Sequence, residues 1–262
     1  MPTSTPKKKK IVALQKPLVC PPNFLGQKIA CSRDRLKGWL AHPSEQVHEE
    51  PFQESMNWRI FRIMAEFVEG FDFLARYKKT VSFFGSTRAS FADRGYQEAK
   101  KLAMMLGKEG FTIITGGGPG VMEAANYGAS EVGAPSVGLN IALAADERRN
   151  QYVKEGIGFH HFFTRKVMLS AAAQAYLFFP GGFGTLDELF EIVTLIQTKK
   201  IPESVPVILV GKTFWMPLMK WIHDSIWDDH LFIDREEMKI MELVDSAEEA
   251  FEIIKQKKGH ME

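Results

Sequence analysis

One glycine-rich stretch that ends in an acid carries the clearest chemical signal in this sequence. Residues 178–188 read FFPGGFGTLDE. Three glycines in it remove the Cβ atoms that would keep a ligand away from the backbone: Gly181, Gly182 and Gly184. The apolar run before them and the helical spacing of apolar residues after them predict a strand, a turn and a helix. The N–H groups at such a helix start favour a phosphate, and Thr185 can add its hydroxyl. We interpret the stretch as an anion site with the carboxylate of Glu188 beside it.

Glu188 also has a purely structural interpretation. Thr185 and Glu188 stand three residues apart just before an apolar run, which is the pattern of a capping box. In that case the carboxylate would bond to a backbone N–H and take no part in chemistry. Both interpretations place Glu188 in the first turn of the helix, and the residues of this stretch alone leave both open.

A second ligand turn is predicted earlier in the chain. Residues 80–84 predict a buried strand, and Gly85, Ser86 and Arg88 follow at its carboxyl end. Open α/β sheets bind ligands at that end of their strands. Arg88 is therefore a candidate contact to a phosphate or a base, with a surface arginine as the alternative.

A third glycine turn follows the next predicted strand. Residues 111–115 predict that strand, and the sequence GGGPG at 116–120 leads into a helix. The turns at 116–120 and 178–188 both join a strand to a helix through several glycines, and two such turns in one sheet favour ligand binding over simple connection. Neither turn has the GxGxxG pattern of dinucleotide sites or the Gly-Lys-Ser/Thr of a P-loop. We therefore expect neither hydride transfer from NAD nor ATP hydrolysis.

Two cations stand where a helix would disfavour them. We expect Thr164 to cap a helix that ends near Ala175, which puts Arg165 and Lys166 in its first turn. That end is unfavourable for cations unless an anion or a carboxylate is close. This helix starts at the same sheet edge as the glycine turn of 178–188, so Arg165 and Glu188 can face one pocket.

Together, three motifs resemble those of one known family. PGGxGTxxE at 180–188, GGGPG at 116–120 and TRK at 164–166 resemble the LONELY GUY family of nucleotide phosphoribohydrolases, many of which are labelled lysine decarboxylase-like. The resemblance covers about residues 80–210. It implies hydrolysis of a nucleoside 5′-monophosphate, of AMP or cytokinin ribotide type, to free base and ribose 5-phosphate. It also implies a homodimer.

The resemblance implies roles for individual residues. Arg165 and Glu188 would act at the glycosidic carbon, where a carboxylate can stabilise an oxocarbenium-like state or deprotonate water. The residues expected to bind the substrate or its phosphate are Gly85, Ser86, Arg88, Gly117, Gly118, Lys166, Gly181, Gly182, Gly184 and Thr185. We expect no cofactor and no metal, since His160 and His161 have no partners at ligand spacing.

Two other functions are consistent with parts of the pattern. A nucleotide-binding or phosphorylated-cofactor carrier without catalysis is one, since the molybdenum-cofactor carrier proteins resemble this fold. The presence of both Arg165 and Glu188 favours the enzyme. Amino-acid decarboxylation is the other, but no segment marks a pyridoxal-phosphate lysine with its supporting acid, and Lys166 beside Arg165 would be poorly desolvated.

Composition excludes several broader classes. The chain has 262 residues, 45% of them hydrophobic, and a formal net charge of +1, which gives no overall attraction to nucleic acid. The two cysteines, Cys20 and Cys31, have no metal or disulfide spacing. No apolar run is long enough for a signal segment or a membrane span. We expect a cytoplasmic protein that binds no membrane.

The expected architecture is α/β, a Rossmann-like three-layer sandwich with a mainly parallel sheet and helices on both faces. Residues 1–51 predict a flexible or loosely docked extension, and 52–262 the nucleotide-binding catalytic domain. Residues 146–154 predict a surface helix or lid. Further strands are expected at 136–140, 159–163, 175–179, 206–210 and 240–244, and further helices at 56–77, 95–106, 214–227 and from 246.

Overall fold

The computed structural model describes residues 56–141 and 149–258. The predicted extension at 1–51, with both cysteines, lies outside the described residues, and so does the first part of the predicted lid. The α-helices are α1 (Met56–Leu74), α2 (Arg94–Lys108), α3 (Val121–Glu131), α4 (Phe162–Ala171), α5 (Phe183–Gln197), α6 (Lys212–Trp221) and α7 (Ala247–Lys258). The strands are β1 (Thr80–Phe84), β2 (Thr112–Thr115), β3 (Ser136–Ile141), β4 (Glu155–Phe159), β5 (Tyr176–Phe178), β6 (Val207–Val210) and β7 (Met241–Val244). A π-helical segment, Ile222–Asp229, continues α6, and a short 3₁₀ helix, Glu237–Ile240, precedes β7.

The seven strands form one parallel sheet in the order β4-β3-β2-β1-β5-β6-β7. The order reverses between β1 and β5, which pair directly, with Ser82 opposite Tyr176 and Phe84 opposite Phe178. Open sheets of this kind bind ligands in the crevice at the carboxyl ends of the strands where the order reverses. The turns that follow β1 and β5 therefore lie at the expected position.

Each face of the sheet packs against its own layer of helices. Neighbouring residues alternate between the faces, as Phe83 and Phe84 do, because successive side chains of a strand point in opposite directions. One core lies under α2, α3 and α7, and the other under α1, α4, α5 and α6. The predicted three-layer α/β fold is confirmed. Within the described ranges, no helix is long and apolar enough to cross a membrane.

Backbone hydrogen bonds hold the three glycine turns together at the sheet edge. The Phe179 N–H donates to the Phe84 carbonyl at 2.9 Å, and the Ser86 N–H donates to the Pro180 carbonyl at 3.0 Å. The Val121 N–H donates to the Ser86 carbonyl at 3.0 Å. Gly120 has φ of 75°, and a Cβ there would lie 2.2 Å from the Ser86 oxygen, so this contact requires glycine.

The sequence-based boundaries fail at the start of α4, which bears on the site. The predicted strand at 159–163 is wrong, since β4 ends at Phe159 and α4 begins at Phe162. Thr164 is the third residue of α4, not its cap, and the helix ends at Ala171 rather than near Ala175. Arg165 and Lys166 are therefore the fourth and fifth residues of α4, slightly further from its start than predicted. The described part of the predicted lid, 149–154, contains no helix.

Candidate active site

A cleft of about 620 Å³ opens at the crevice between β1 and β5. It is bounded by the β1 turn, the GGGPG turn, one face of α4 and the start of α5. Its lining residues are Phe84, Gly85, Ser86, Thr87, Arg88, Gly116, Met122, Phe162, Arg165, Leu169, Gly182, Phe183, Gly184, Thr185 and Glu188. Sequence positions more than 100 residues apart thus meet in one cavity.

Arg165 reaches this cleft from α4 and is held by the backbone of β3. Its Nε donates to the Leu139 carbonyl at 2.7 Å, and its side chain is 13% exposed. A Cβ on Gly116 would lie 2.2 Å from the Nη2 atom of Arg165, so the absence of a side chain at 116 makes room for the guanidinium. Burial lowers the pKa of Arg165, and the Glu188 carboxylate opposes this effect.

Glu188 faces Arg165 from α5. Its Oε1 lies 3.9 Å from the Arg165 Nη1, and its side chain is 14% exposed. Burial raises the pKa of Glu188 to about 7, against the lowering effect of Arg165; Asp187 adds to the rise. The group therefore exchanges its proton near neutral pH, as a catalytic acid or base needs.

The capping interpretation of Glu188 does not hold. Helix α5 begins at Phe183, with Gly182 at its N-cap, so Glu188 is the sixth residue of the helix and lies in the second turn. The N-cap of α5 has no side-chain hydrogen bond. The expectation of an acid in the first turn is wrong for the same reason. Glu188 instead points its carboxylate at a guanidinium inside the cleft.

The start of α5 supplies backbone donors to the cleft. The Leu186 N–H donates to the Gly182 carbonyl at 3.1 Å, so the N–H groups of Phe183, Gly184 and Thr185 come before the first hydrogen bond of the helix. A Cβ on Gly182 or on Gly184 would meet nothing within 4 Å, which leaves this helix start open. The arrangement suits an anion.

Eight of the twelve residues predicted for the site line the cleft, and four do not. The eight are Gly85, Ser86, Arg88, Arg165, Gly182, Gly184, Thr185 and Glu188. Gly181 lies behind Thr185, whose hydroxyl would be 2.2 Å from a Cβ on that glycine. The role of each residue in binding stays a prediction.

Gly117 and Gly118 are engaged with the protein itself. The Gly117 N–H donates to the Thr115 hydroxyl at 2.9 Å. The Asn150 side chain donates to the Gly117 and Gly118 carbonyls at 3.1 and 2.9 Å. The turn is thereby fixed to the segment after β3, and it is Gly116 that faces the cleft.

Lys166 lies outside the cleft, among acids of α5. Its Nζ is 2.7 Å from Asp187 and 3.3 Å from Glu191. Burial lowers the pKa of Lys166, but the hydrogen bond to Asp187 and the charge of Glu191 outweigh it and raise the value. The two adjacent cations thus have different partners: Lys166 pairs with Asp187 and Glu191 outside the cleft, and Arg165 pairs with Glu188 inside it.

The sequence interpretation did not single out the apolar part of the lining. Met122, Phe162, Leu169 and Phe183 give the cleft its apolar wall. Phe183 is 93% exposed, although aromatic side chains normally bury. The sequence did contain a signal for this exposed residue, since Phe183 is a large apolar residue between two glycines at a helix start.

The chain is similar in sequence to curated enzymes. The chain is 28% identical over 158 residues to the rice (Oryza sativa subsp. japonica) cytokinin riboside 5′-monophosphate phosphoribohydrolase LOG, covering 58% of this chain and 63% of that enzyme. The similarity thus spans less than two thirds of the rice enzyme's length. To the Arabidopsis thaliana enzyme LOG2 it is 23% identical, covering 70% of this chain and 84% of that enzyme.

Solved structures share the fold. A protein from the Northeast Structural Genomics Consortium superposes with a TM-score of 0.53 at 25% identity, covering 68% of this chain and 99% of that one. The molybdenum-cofactor carrier protein of Chlamydomonas reinhardtii superposes with a TM-score of 0.52 at 22% identity, covering 70% and 99%. The family model described as "Possible lysine decarboxylase" matches residues 122–254, about half of the chain. The chain belongs to this family.

Proposed function

We propose that this protein hydrolyses the N-glycosidic bond of a nucleoside 5′-monophosphate, of AMP or cytokinin ribotide type, to free base and ribose 5-phosphate. The observation that carries the proposal is the buried pair of Arg165 and Glu188, 3.9 Å apart in a cleft that also holds an open helix start. The curated relatives, which are named as phosphoribohydrolases, support the same reaction.

The start of α5 would hold the 5′-phosphate. The backbone N–H groups around Gly184 and the macrodipole of a 15-residue helix both favour an anion there. Arg88, exposed on the turn after β1, lines the same cleft and would add a positive charge. The ribose would then extend toward Glu188, which lies on the same helix.

Glu188 would act at the glycosidic carbon. As the bond from C1′ to the base nitrogen breaks, positive charge grows on the sugar, and an ionised carboxylate stabilises it. Water then adds its oxygen to C1′ and loses a proton, which Glu188 can accept because its pKa is about 7. The departing base takes up a proton from solvent and leaves as the neutral base, and Glu188 returns its own proton to solvent, so one water is consumed for each bond cleaved. Arg165 would keep Glu188 oriented and ionised.

Decarboxylation by a lysine is not supported by the surroundings of the candidate lysine. An amine that forms a Schiff base needs a lowered pKa and access to its substrate. The pKa of Lys166 is raised, and two acids of α5 occupy its ammonium group. The side chain also lies outside the cleft.

We also propose that the protein acts as a homodimer. Helix α1 exposes a row of large apolar side chains: Ile60, Phe61, Met64, Val68 and Phe71. On α4, Phe163 and Val167 are exposed as well. A soluble protein rarely leaves such a set uncovered, and a second copy would bury it.

The reaction is tested by incubating the protein with a panel of nucleoside 5′-monophosphates and separating the released bases by chromatography. Base and ribose 5-phosphate should appear in equal amounts with at least one member of the panel. The matched control is Glu188→Gln, which should release neither at a comparable rate. Tight binding of a nucleotide without any release would favour a carrier and overturn the proposed hydrolysis.

A further inference from the structure

Helix α1 presents one buried acid to the start of α4. Glu66 is 8% exposed, although charged residues are almost never fully buried without partners. Its carboxylate accepts the N–H groups of His160 at 2.8 Å and His161 at 3.3 Å, and the Thr164 hydroxyl at 2.5 Å. The His161 Nδ1 lies 3.2 Å from the same carboxylate.

These contacts replace a cap that α4 lacks. The N-cap residue, His161, makes no side-chain capping bond of its own. The carboxylate accepts the N–H groups of the two residues that lead into the helix and complements the positive end of the helix dipole. Burial would raise the pKa of Glu66, but the bonds from Thr164, His160 and His161 hold it below its ordinary value.

Close packing fixes α1 against α4. A Cβ on Gly70, one turn after Glu66, would lie 2.6 Å from the Met168 sulfur and 3.2 Å from a ring carbon of Phe159. The absence of a side chain at position 70 therefore lets Met168 of α4 pack directly against the backbone of α1. Glu66 is presented from a packed helix and not from a free side chain on the surface.

We propose that Glu66 is a positioning residue for the reaction: by holding the first turn of α4 it sets the placement of Arg165 against Leu139 and Glu188. Arg165 comes directly after Thr164, and the Leu139 carbonyl anchors its guanidinium to the backbone of β3. A shift of the first turn would move Arg165 relative to Glu188. This inference rests on the proposed function for its catalytic consequence.

The proposal makes a specific statement about Glu188. The charged groups that act on Glu188 are Arg165 and Lys166 from α4 and Asp187 and Glu191 from α5, and Arg88 lines the same cleft from the β1 turn. Of these, Arg165 opposes the rise of the Glu188 pKa most strongly. Displacing Arg165 should therefore move the Glu188 titration to higher pH. A purely structural role for Glu66 would lower the melting temperature and leave that titration unchanged.

The test compares Glu66→Gln with Glu69→Gln, an exposed acid on the same helix. Carboxyl ¹³C NMR titration of Glu188 reports its midpoint without any turnover. We expect the midpoint to rise by at least half a pH unit in Glu66→Gln and to stay in place in Glu69→Gln. With a nucleotide that the wild type cleaves, kcat should fall about tenfold in Glu66→Gln while KM changes less than twofold.

Thr164→Val covers the case in which Glu66→Gln does not fold. It keeps the carboxylate and removes one of its donors, so it should move the Glu188 midpoint in the same direction by a smaller amount. An unchanged midpoint in every folded variant overturns the positioning role. Absence of turnover in the wild type would overturn the proposed hydrolysis instead, and the NMR titration would still decide the role of Glu66.

Discussion

The guanidinium of Arg165 occupies the space that any side chain on Gly116 would fill. A Cβ at 116 would lie 2.2 Å from Nη2, a separation that no side-chain carbon tolerates. The GGGPG turn therefore contributes to the site because its first glycine has no side chain and leaves room for the guanidinium. The placement of Arg165 beside Glu188 therefore depends on a residue that has no side chain.

Gly116→Ala should displace Arg165 and separate it from Glu188. We expect kcat/KM for a cleaved monophosphate to fall by about two orders of magnitude, since small misplacements of a catalytic group cost that much. Steady-state kinetics would measure the loss. Gly95→Ala is the matched control, because a Cβ there would lie 3.6 Å from Pro180, an ordinary contact outside the cleft. Equal losses in both variants would contradict the steric argument.

The activity should depend on the ionisation of Glu188. Because burial raises its pKa to about 7, kcat/KM should reach a plateau above that pH and fall about tenfold per pH unit below it. Glu188→Gln should lose at least about two orders of magnitude in kcat and lose this dependence. Asp187→Asn, a neighbouring acid that adds to the rise, should stay active with its midpoint shifted to lower pH. A flat wild-type profile between pH 5 and 8 would rule Glu188 out as the titrating group.

The same group should make stability fall as the pH rises. The folded-state pKa of Glu188 lies above its ordinary value of 4.5, so the folded protein holds this proton more tightly than the unfolded chain. The resulting stabilisation is complete below about pH 4.5 and is lost as the pH rises to about 7. Relative to wild type, Glu188→Gln should therefore gain up to about 3 kcal/mol between pH 4.5 and 8. Urea unfolding at pH 4.5 and pH 8 measures the difference in the free energy of unfolding between the variant and the wild type. The same difference at both pH values would contradict a raised pKa of Glu188 in the folded protein.

Nucleosides without phosphate should be poor substrates. The open start of α5 has little to bind if the 5′-phosphate is absent, so kcat/KM for AMP should exceed that for adenosine by at least about a hundredfold. Competition between AMP and inorganic phosphate offers an independent readout, since phosphate should inhibit at the same helix start. Equal kcat/KM for AMP and adenosine would show that the anion site is misassigned.

The exposed row on α1 should be covered in solution. Light scattering at micromolar concentration should give a mass of about twice the 29.6 kDa of one chain. Met64→Glu, in the middle of the row, should shift the protein toward the monomer, whereas Glu69→Gln should not. A monomeric wild type would remove the proposed dimer.

Local patterns were sufficient to predict most of the fold. The short apolar runs at β1, β2, β3, β5 and β6 are buried strands, because a parallel sheet covered on both faces needs continuous apolar segments. The turns after β1, β2 and β5 meet because their strands end at one sheet edge. Arg165 and Glu188 were predicted to share a pocket on that topological ground, and they do.

What local patterns could not supply was the start of α4. The apolar residues Phe159, Phe162 and Phe163 suggested one strand. The carboxylate of Glu66, 98 residues from Thr164 in sequence, instead accepts the Thr164 hydroxyl and the N–H groups of the two residues just before the helix. A long-range cap leaves no trace in the local spacing. Similarly, α5 begins at Phe183 without a side-chain cap, so the Thr185 and Glu188 spacing suggested a boundary three residues too late.

The backbone bonds that tie the three turns together bear on how readily the cleft could be redesigned. These bonds join main-chain atoms: Phe179 to Phe84, Ser86 to Pro180 and Val121 to Ser86. The positions of the three turns therefore do not depend on the side chains that face the cleft. Arg88, Met122 and Phe183 line the cleft and carry none of these bonds through their side chains. Libraries randomised at these three positions should therefore yield mostly folded proteins, and base preference could be selected without first repairing the scaffold.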